Sequence, residues 1–336
     1  MAPRGSTGHT APTAETVASA EGKAAHVDPK ELPPIHVGNI RALSYVGPHA
    51  LMSLSEFGDP NEVTLWNELD GKKVASRSFG PGPLGAFSSD GKWLAYLEHL
   101  YGLPTRFRLR LDSFSSGNTV AERIFTHEEV GYATALFVLR DGRTVIARPK
   151  MAEALDACVR VYSTGLVEES KRCIASDPIG ALNLSPDGRF IVLSPFEGAL
   201  RVVDSSSGAE VLTIPLPRGG QPLTLFSSDG GRFAWANDKV VHILAVDGWR
   251  EERQFEVETA NRLELALDAK GDRLVVSEQT ALYSVDLASN AKPRRARVPM
   301  EDFNDEVARI ALSPDGERIA VVTRKGVLSY EAFETP

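Results

Sequence analysis

One hairpin pattern recurs along this chain: an apolar strand, a tight turn that usually reads Ser-x-Asp-Gly, one polar residue, then a second apolar strand. Six copies are plain: LGAFSSDGKWLAYLEH from Leu84, TALFVLRDGRTVIAR from Thr134, ALNLSPDGRFIVLSP from Ala181, LTLFSSDGGRFAWAN from Leu223, LELALDAKGDRLVVSE from Leu263 and RIALSPDGERIAVVTR from Arg309. A seventh, RALSYVGPHALMSLSE from Arg41, keeps the apolar pattern but turns through Gly47, Pro48 and His49. The turn positions Pro48, Gly91, Gly142, Gly188, Gly230, Gly271 and Gly316 are spaced 43, 51, 46, 42, 41 and 45 residues apart. A self-similar period of about 44 residues is that of a stacked or radial repeat built from one supersecondary unit.

The turn residues recur for a physical reason. Glycine accepts the positive φ of a tight antiparallel reversal, while Asp and Ser side chains bond backbone N–H groups inside the turn. Between copies lie two more strand-like runs, such as EVTLWN and KKVASRSF around LDG, ALRVVD and AEVLTI around SSSG, and ALYSVD and PRRARV around LASNAK. Each unit therefore holds four strands, a to d, and seven units account for residues 31–336. The expected fold class is all-β, a seven-bladed β-propeller of four-stranded antiparallel blades. Strands a, b and c of the last unit fall near 307–312, 317–322 and 326–331, leaving that unit without an outer strand. The segment ELPPIHVG near residues 31–37 is strand-like and unpartnered, so it is expected to supply strand d of the last blade and close the ring.

Residues 1–30 are rich in Ala, Thr, Ser, Gly and Pro with almost no large apolar side chain, which predicts a disordered tail. No apolar run approaches membrane-spanning length, and the N-terminus has no signal-peptide core, so a cytoplasmic protein is expected. A formal charge of -8 argues against a direct nucleic-acid binder. Cys158 and Cys173 are the two cysteines; they could face each other in the hairpin CVRVYSTGLVEESKRC, but for that compartment two packed, reduced thiols are expected.

The repeat, with Trp66-Asn67, Leu111-Asp112, Val203-Asp204 and Val285-Asp286 standing where a Trp-Asp dipeptide would end strand c, resembles the WD40 propellers of bacteria. The Ser-Pro-Asp-Gly turns are also similar to repeats of TolB-like proteins, lactonases and prolyl-oligopeptidase gating domains. The resemblance implies a closed ring whose b–c and d–a loops line the top rim and whose a–b and c–d turns line the other.

Loop length separates the blades. The b–c loops SPFEG, NDK, EQT and RKG of blades four to seven are short, whereas SEFGDPNE (55–62), EHLYGLPT (98–105) and RPKMAEALDA (148–157) of blades one to three are long. These loops, with EDFNDE (301–306), put Phe57, Glu98, His99, Tyr101, Leu103, Met151, Leu155, Asp302 and Phe303 on the top rim as candidate partner-binding residues. Apolar anchors in an acidic surround suit a protein interface; alternatively, the same residues pack their own loops onto the blades. Glu128, Asp302 and Asp305 are the carboxylates that would converge if the mouth held a metal, but a solvated acidic rim is the expected state. The arginines Arg294, Arg295 and Arg297 read as a solvated outer edge.

No nucleophile elbow, His-Glu-x-x-His helix or phosphate-cradling loop is present, and no cofactor is implied. The expected function is a non-enzymatic interaction module for a protein partner, a basic one given the acidic surface, such as a nucleic-acid-binding or regulatory protein. A metal-dependent hydrolase of lactonase type is the first alternative. A sensory or gating propeller acting on a separate enzyme is the second.

Overall fold

The structure is a computed structural model and describes residues 35–332 apart from 38–39, 56–60, 80–83, 101–103, 131–134, 149–156, 175–178, 196–197, 217–221, 259–262, 290 and 299–304. The tail expected over 1–30 lies outside the described residues.

Seven four-stranded antiparallel sheets form the blades of the propeller. The chain opens with β1 (Ile35–His36). Blade one is β2 (Ile40–Gly47), β3 (Ala50–Ser55), β4 (Asn61–Asn67) and β5 (Lys72–Phe79), and blade two is β6 (Leu84–Phe87), β7 (Trp93–Leu100), β8 (Arg106–Ser113) and β9 (Thr119–Thr126). A short helical turn, α1 (His127–Val130), leads to blade three: β10 (Ala135–Val138), β11 (Thr144–Arg148), β12 (Ala157–Tyr162) and β13 (Glu168–Ile174). Blade four is β14 (Ile179–Leu184), β15 (Phe190–Pro195), β16 (Ala199–Asp204) and β17 (Glu210–Pro215). Blade five is β18 (Leu223–Phe226), β19 (Arg232–Asn237), β20 (Val240–Ala245) and β21 (Arg250–Glu256). Blade six is β22 (Leu263–Leu267), β23 (Arg273–Glu278), β24 (Ala281–Asp286) and β25 (Arg294–Arg297). Blade seven takes β26 (Val307–Leu312), β27 (Arg318–Thr323) and β28 (Val327–Ala332) from the end of the chain and β1 from its beginning.

The closing strand falls where the sequence places it. Ile35 and His36 pair with Leu328 and Val327, and Val37 N–H donates to Gly326 O at 2.7 Å. The second strand of each blade is sandwiched between neighbouring blades, which is why FIVLSP and RIAVVT are buried along their whole length while the outer RRAR is exposed throughout. Side-chain alternation then sends each strand's two faces into two different inter-blade cores. In blade four, Phe190 and Val192 pack with Phe233 and Trp235 of blade five, whereas Ile191 and Leu193 pack with Val145 and Ala147 of blade three.

The repeated turn has one internal bonding scheme. In blade seven the Ser313 hydroxyl donates to Asp315 Oδ1 and accepts from Arg318 N–H at 3.0 Å, and Gly316 N–H returns to Ser313 O at 2.8 Å. Blades two, four and five repeat it with Ser88, Ser185 and Ser227. Blade six substitutes Asp268, whose carboxylate accepts from Arg273 N–H at 3.1 Å. Gly142 shows why the turn glycine is needed: its φ is +83°, and a Cβ there would sit 2.9 Å from the Trp93 ring of the preceding blade.

In blades two, five, six and seven the residue two places after the turn glycine also ties the ring together. Trp93 Nε1 donates to Arg140 O of blade three, Arg232 to Gly271 O of blade six, Arg273 to Gly316 O of blade seven, and Arg318 to Pro48 O of blade one. On the outer strands, Arg123 reaches Leu166 O, Arg172 reaches the carbonyls of Ser205, Ser206 and Ser207, and Arg253 reaches those of Asp286, Ser289 and Ala291. Each contact runs from one blade to the next in chain order.

One expectation is overturned here. Cys158 and Cys173 are directly opposite in the β12–β13 ladder and form a disulfide rather than two reduced thiols. The physical reason is register: the hairpin between them places the two Cβ atoms on the same face of neighbouring strands.

Candidate interaction site

The b–c connections differ in length around the top rim. They span 56–60, 101–105 and 149–156 in blades one to three, but only 238–239 and 279–280 in blades five and six. The strands of blades one to three run further than the sequence reading allowed. Ser55, Asn61, Glu62, Glu98, His99, Leu100, Arg148 and Ala157 all belong to strands rather than loops. Phe57, Tyr101, Leu103, Met151, Leu155, Asp302 and Phe303 lie outside the described residues, as does the helical turn expected at MAEALDA.

Glu98 is not an exposed rim carboxylate. It is 6% exposed, and Arg108, directly opposite in the ladder, grips its Oε2 through Nε at 2.7 Å and Nη2 at 2.6 Å. A two-pronged guanidinium–carboxylate contact of this kind holds both side chains in one orientation. On the other face of the same ladder, His99 meets Phe107 edge-on at 5.2 Å, and Phe107 lies 6.1 Å from the ring of His127 in α1. His127 and Glu128 are exposed, while Glu129 turns back to accept from Thr126 N–H at 2.8 Å and Val130 is buried. Blade two therefore places the rings of His99 and His127 against Phe107, itself only 8% exposed, with Glu128 exposed next to His127. Asp305, one of the carboxylates considered for a metal, is 4% exposed and accepts from Glu306 N–H and Lys325 N–H, so it works as a loop cap. Among the described residues no group of three or more His, Cys, Asp or Glu is placed to hold a metal.

The first strands line the central channel. Glu264 of blade six pairs with Arg309 of blade seven at 2.9 Å, and Arg309 Nε donates to Arg41 O of blade one. Burial pushes the Glu264 carboxyl above its ordinary value, against the pull of Arg309. The residues next to this pair, Leu265 and Ile310, line a cavity of about 120 Å³ together with Leu43, Leu225 and Pro314. Arg140 reaches from the turn of blade three to Ser89 Oγ of blade two and to Ser228 O of blade five, a residue that itself lines the cavity. These contacts were not visible in the sequence, because each joins residues of different blades.

No family model matches the chain, and no curated protein sequence matches it. Among solved structures it is similar to the β-propeller domain of Cps50 (Swd1) from Myceliophteria thermophila, with a TM-score of 0.65 and 14% identity over 90% of this chain and 98% of that one. That likeness shows a shared propeller fold. Among the described residues no helix is long and apolar enough to cross a membrane.

Proposed function

We propose that this propeller is a non-enzymatic binding module that holds a basic protein or peptide on the top rim over blades one to three. The observation that carries the reading is the asymmetry of the rim: the long b–c connections, with the His99 and His127 rings packed on buried Phe107, fall on one side, opposite the two-residue turns of blades five and six. A scaffold that needed only to close its ring would have minimal loops on every blade. The candidate anchors are Phe57, Tyr101, Leu103, Met151, Leu155 and Phe303, with His99 at the base of the 101–105 loop. Glu128 and Asp302 supply orienting charge, and Glu98 acts through Arg108 as a support beneath the surface. The net charge of -8 favours a basic partner. The hydrolase alternative has no observation in its favour.

Affinity capture tests this with Tyr101→Ala, Leu103→Ala and Glu128→Lys beside the wild type. The apolar changes should weaken a specific partner by about 30-fold, as anchors near the centre of an interface do. The charge reversal should weaken it most at low salt. A partner held equally by all four proteins sinks the choice of face. A cytoplasmic site of action belongs to the same proposal, and the Cys158–Cys173 bond weighs against it, since disulfides persist chiefly in oxidising compartments. Cell fractionation decides that point.

A further inference from the structure

The disulfide has two unlike ends. Cys158, the second residue of β12, is 5% exposed, whereas Cys173 on the outermost strand of blade three is exposed. The ladder pairs Cys158 with Cys173 and Arg160 with Lys171, so these four side chains share one face, while Val159 and Ile174 pack on the other toward blade four. Arg160 is tied to Glu168 at 2.6 Å; Lys171 is exposed and lies two residues from Cys173 on the same face.

We infer that Cys173 is a reversible thiolation site for low-molecular-weight anionic thiols, with Cys158 as its resolving partner. An incoming thiolate attacks Cys173 Sγ because Cys173 is the exposed residue of the pair. The Cys158–Cys173 bond breaks, its electron pair leaves on Cys158 Sγ, and Cys158 takes up a proton. The product is a mixed disulfide on Cys173 and a thiol on Cys158, with no net oxidation. Cys158 stays opposite Cys173 in the β12–β13 ladder, so on losing its proton it can attack the mixed disulfide, expel the small thiol and restore the bond. Lys171 supplies the positive charge that favours an anionic thiol over a neutral one. The site borders the candidate rim, because residues 149–156 run directly into β12.

The test uses the native full-length chain with reduced glutathione, trapping of free thiols by alkylation, and peptide mapping. One adduct per chain on Cys173, with Cys158 alkylated, is the expected result. An adduct chiefly on Cys158, two adducts on the folded chain, or no adduct until urea is added overturns the inference. Cys158→Ser should take up one glutathione from its oxidised form at Cys173, and Cys173→Ser should leave Cys158 unmodified while folded. Lys171→Glu should slow glutathione, whose attacking thiolate carries two net negative charges, about 3-fold, and mercaptoethanol, whose thiolate carries one, by less; equal slowing of both removes the electrostatic part of the argument. The wild-type mapping decides the site even if a cysteine variant folds poorly.

Discussion

The junction between the last blade and the first holds a buried ionic network whose disruption has a calculable cost. The Glu68 side chain is 1% exposed and that of Arg318 is 11% exposed, and Glu68 Oε2 faces Arg318 Nη1 at 3.2 Å. Tyr45 donates to Glu68 Oε1 at 2.6 Å, and Arg318 also bonds His49 Nδ1 and Pro48 O. Arg318→Met keeps most of the volume and removes the cation, leaving a carboxylate in a dry site with Tyr45 as its main partner. Breaking one side of such a buried pair costs about 3 kcal/mol or more. With an unfolding entropy of roughly 2.1 cal/mol/K per residue over a ring of about 300 residues, that lowers Tm by about 5 °C. Burial already pushes the Glu68 carboxyl above 4.5, with Tyr45 and Arg318 opposing. A raised folded pKa contributes stability that is complete below the unfolded value and is lost as pH rises through the folded one. Removing Arg318 raises that pKa further, so the deficit of the variant should be larger at pH 8 than at about pH 5. Adding Glu68→Gln should recover part of the loss, because it removes the stranded charge. Urea titration at both pH values measures this. A deficit under about 1 kcal/mol, one independent of pH, or a double variant as unstable as the sum of the singles refutes the reasoning.

Two further outcomes follow from the turns and the closing strand. Gly142→Ala should cost at least about 2 kcal/mol in urea titration, since alanine meets both an unfavourable φ and the Trp93 ring; no loss would mean that the turn and ring separate freely. Deleting residues 1–37 should lower the melting temperature and promote self-association by baring the edge of β28, while deleting 1–30 should do neither; equal behaviour of the two truncations would remove β1 from the closure.

What could be read from the chain and what could not divides along distance. The Ser-x-Asp-Gly turns and the alternation of strands announce local hairpins, and seven such hairpins with one orphan strand leave a closed ring as the simple solution. The strand ends were harder. Glu98 reads as loop because it follows an apolar run and precedes the Gly-Leu-Pro of residues 102–104, yet the ladder continues to Arg106 since Glu98 and Arg108 stand opposite each other and pair. The signal of that pairing in the sequence is a carboxylate and a guanidinium on either side of residues 101–105. Cys158 and Cys173 were visible as potential partners too, and an expectation about compartment outweighed the register. The contacts of Glu68 with Arg318, or of Arg140 with Ser228, had no such signal, because residues so far apart become neighbours only when the ring closes.

The side-chain clasps onto main-chain carbonyls of another blade have a one-way character. Trp93, Arg123, Arg172, Arg232, Arg253, Arg273 and Arg318 all reach forward to the following blade, and the groups that receive them include main-chain carbonyls in every case. A peptide oxygen is present whatever side chain its residue carries. The receiving turns are thus at liberty to drift from Ser-Pro-Asp-Gly to Arg-Asp-Gly, Ala-Lys-Gly-Asp or Gly-Pro-His without unfastening their predecessors, and the burden of keeping the circle intact rests on a handful of long, donor-bearing side chains.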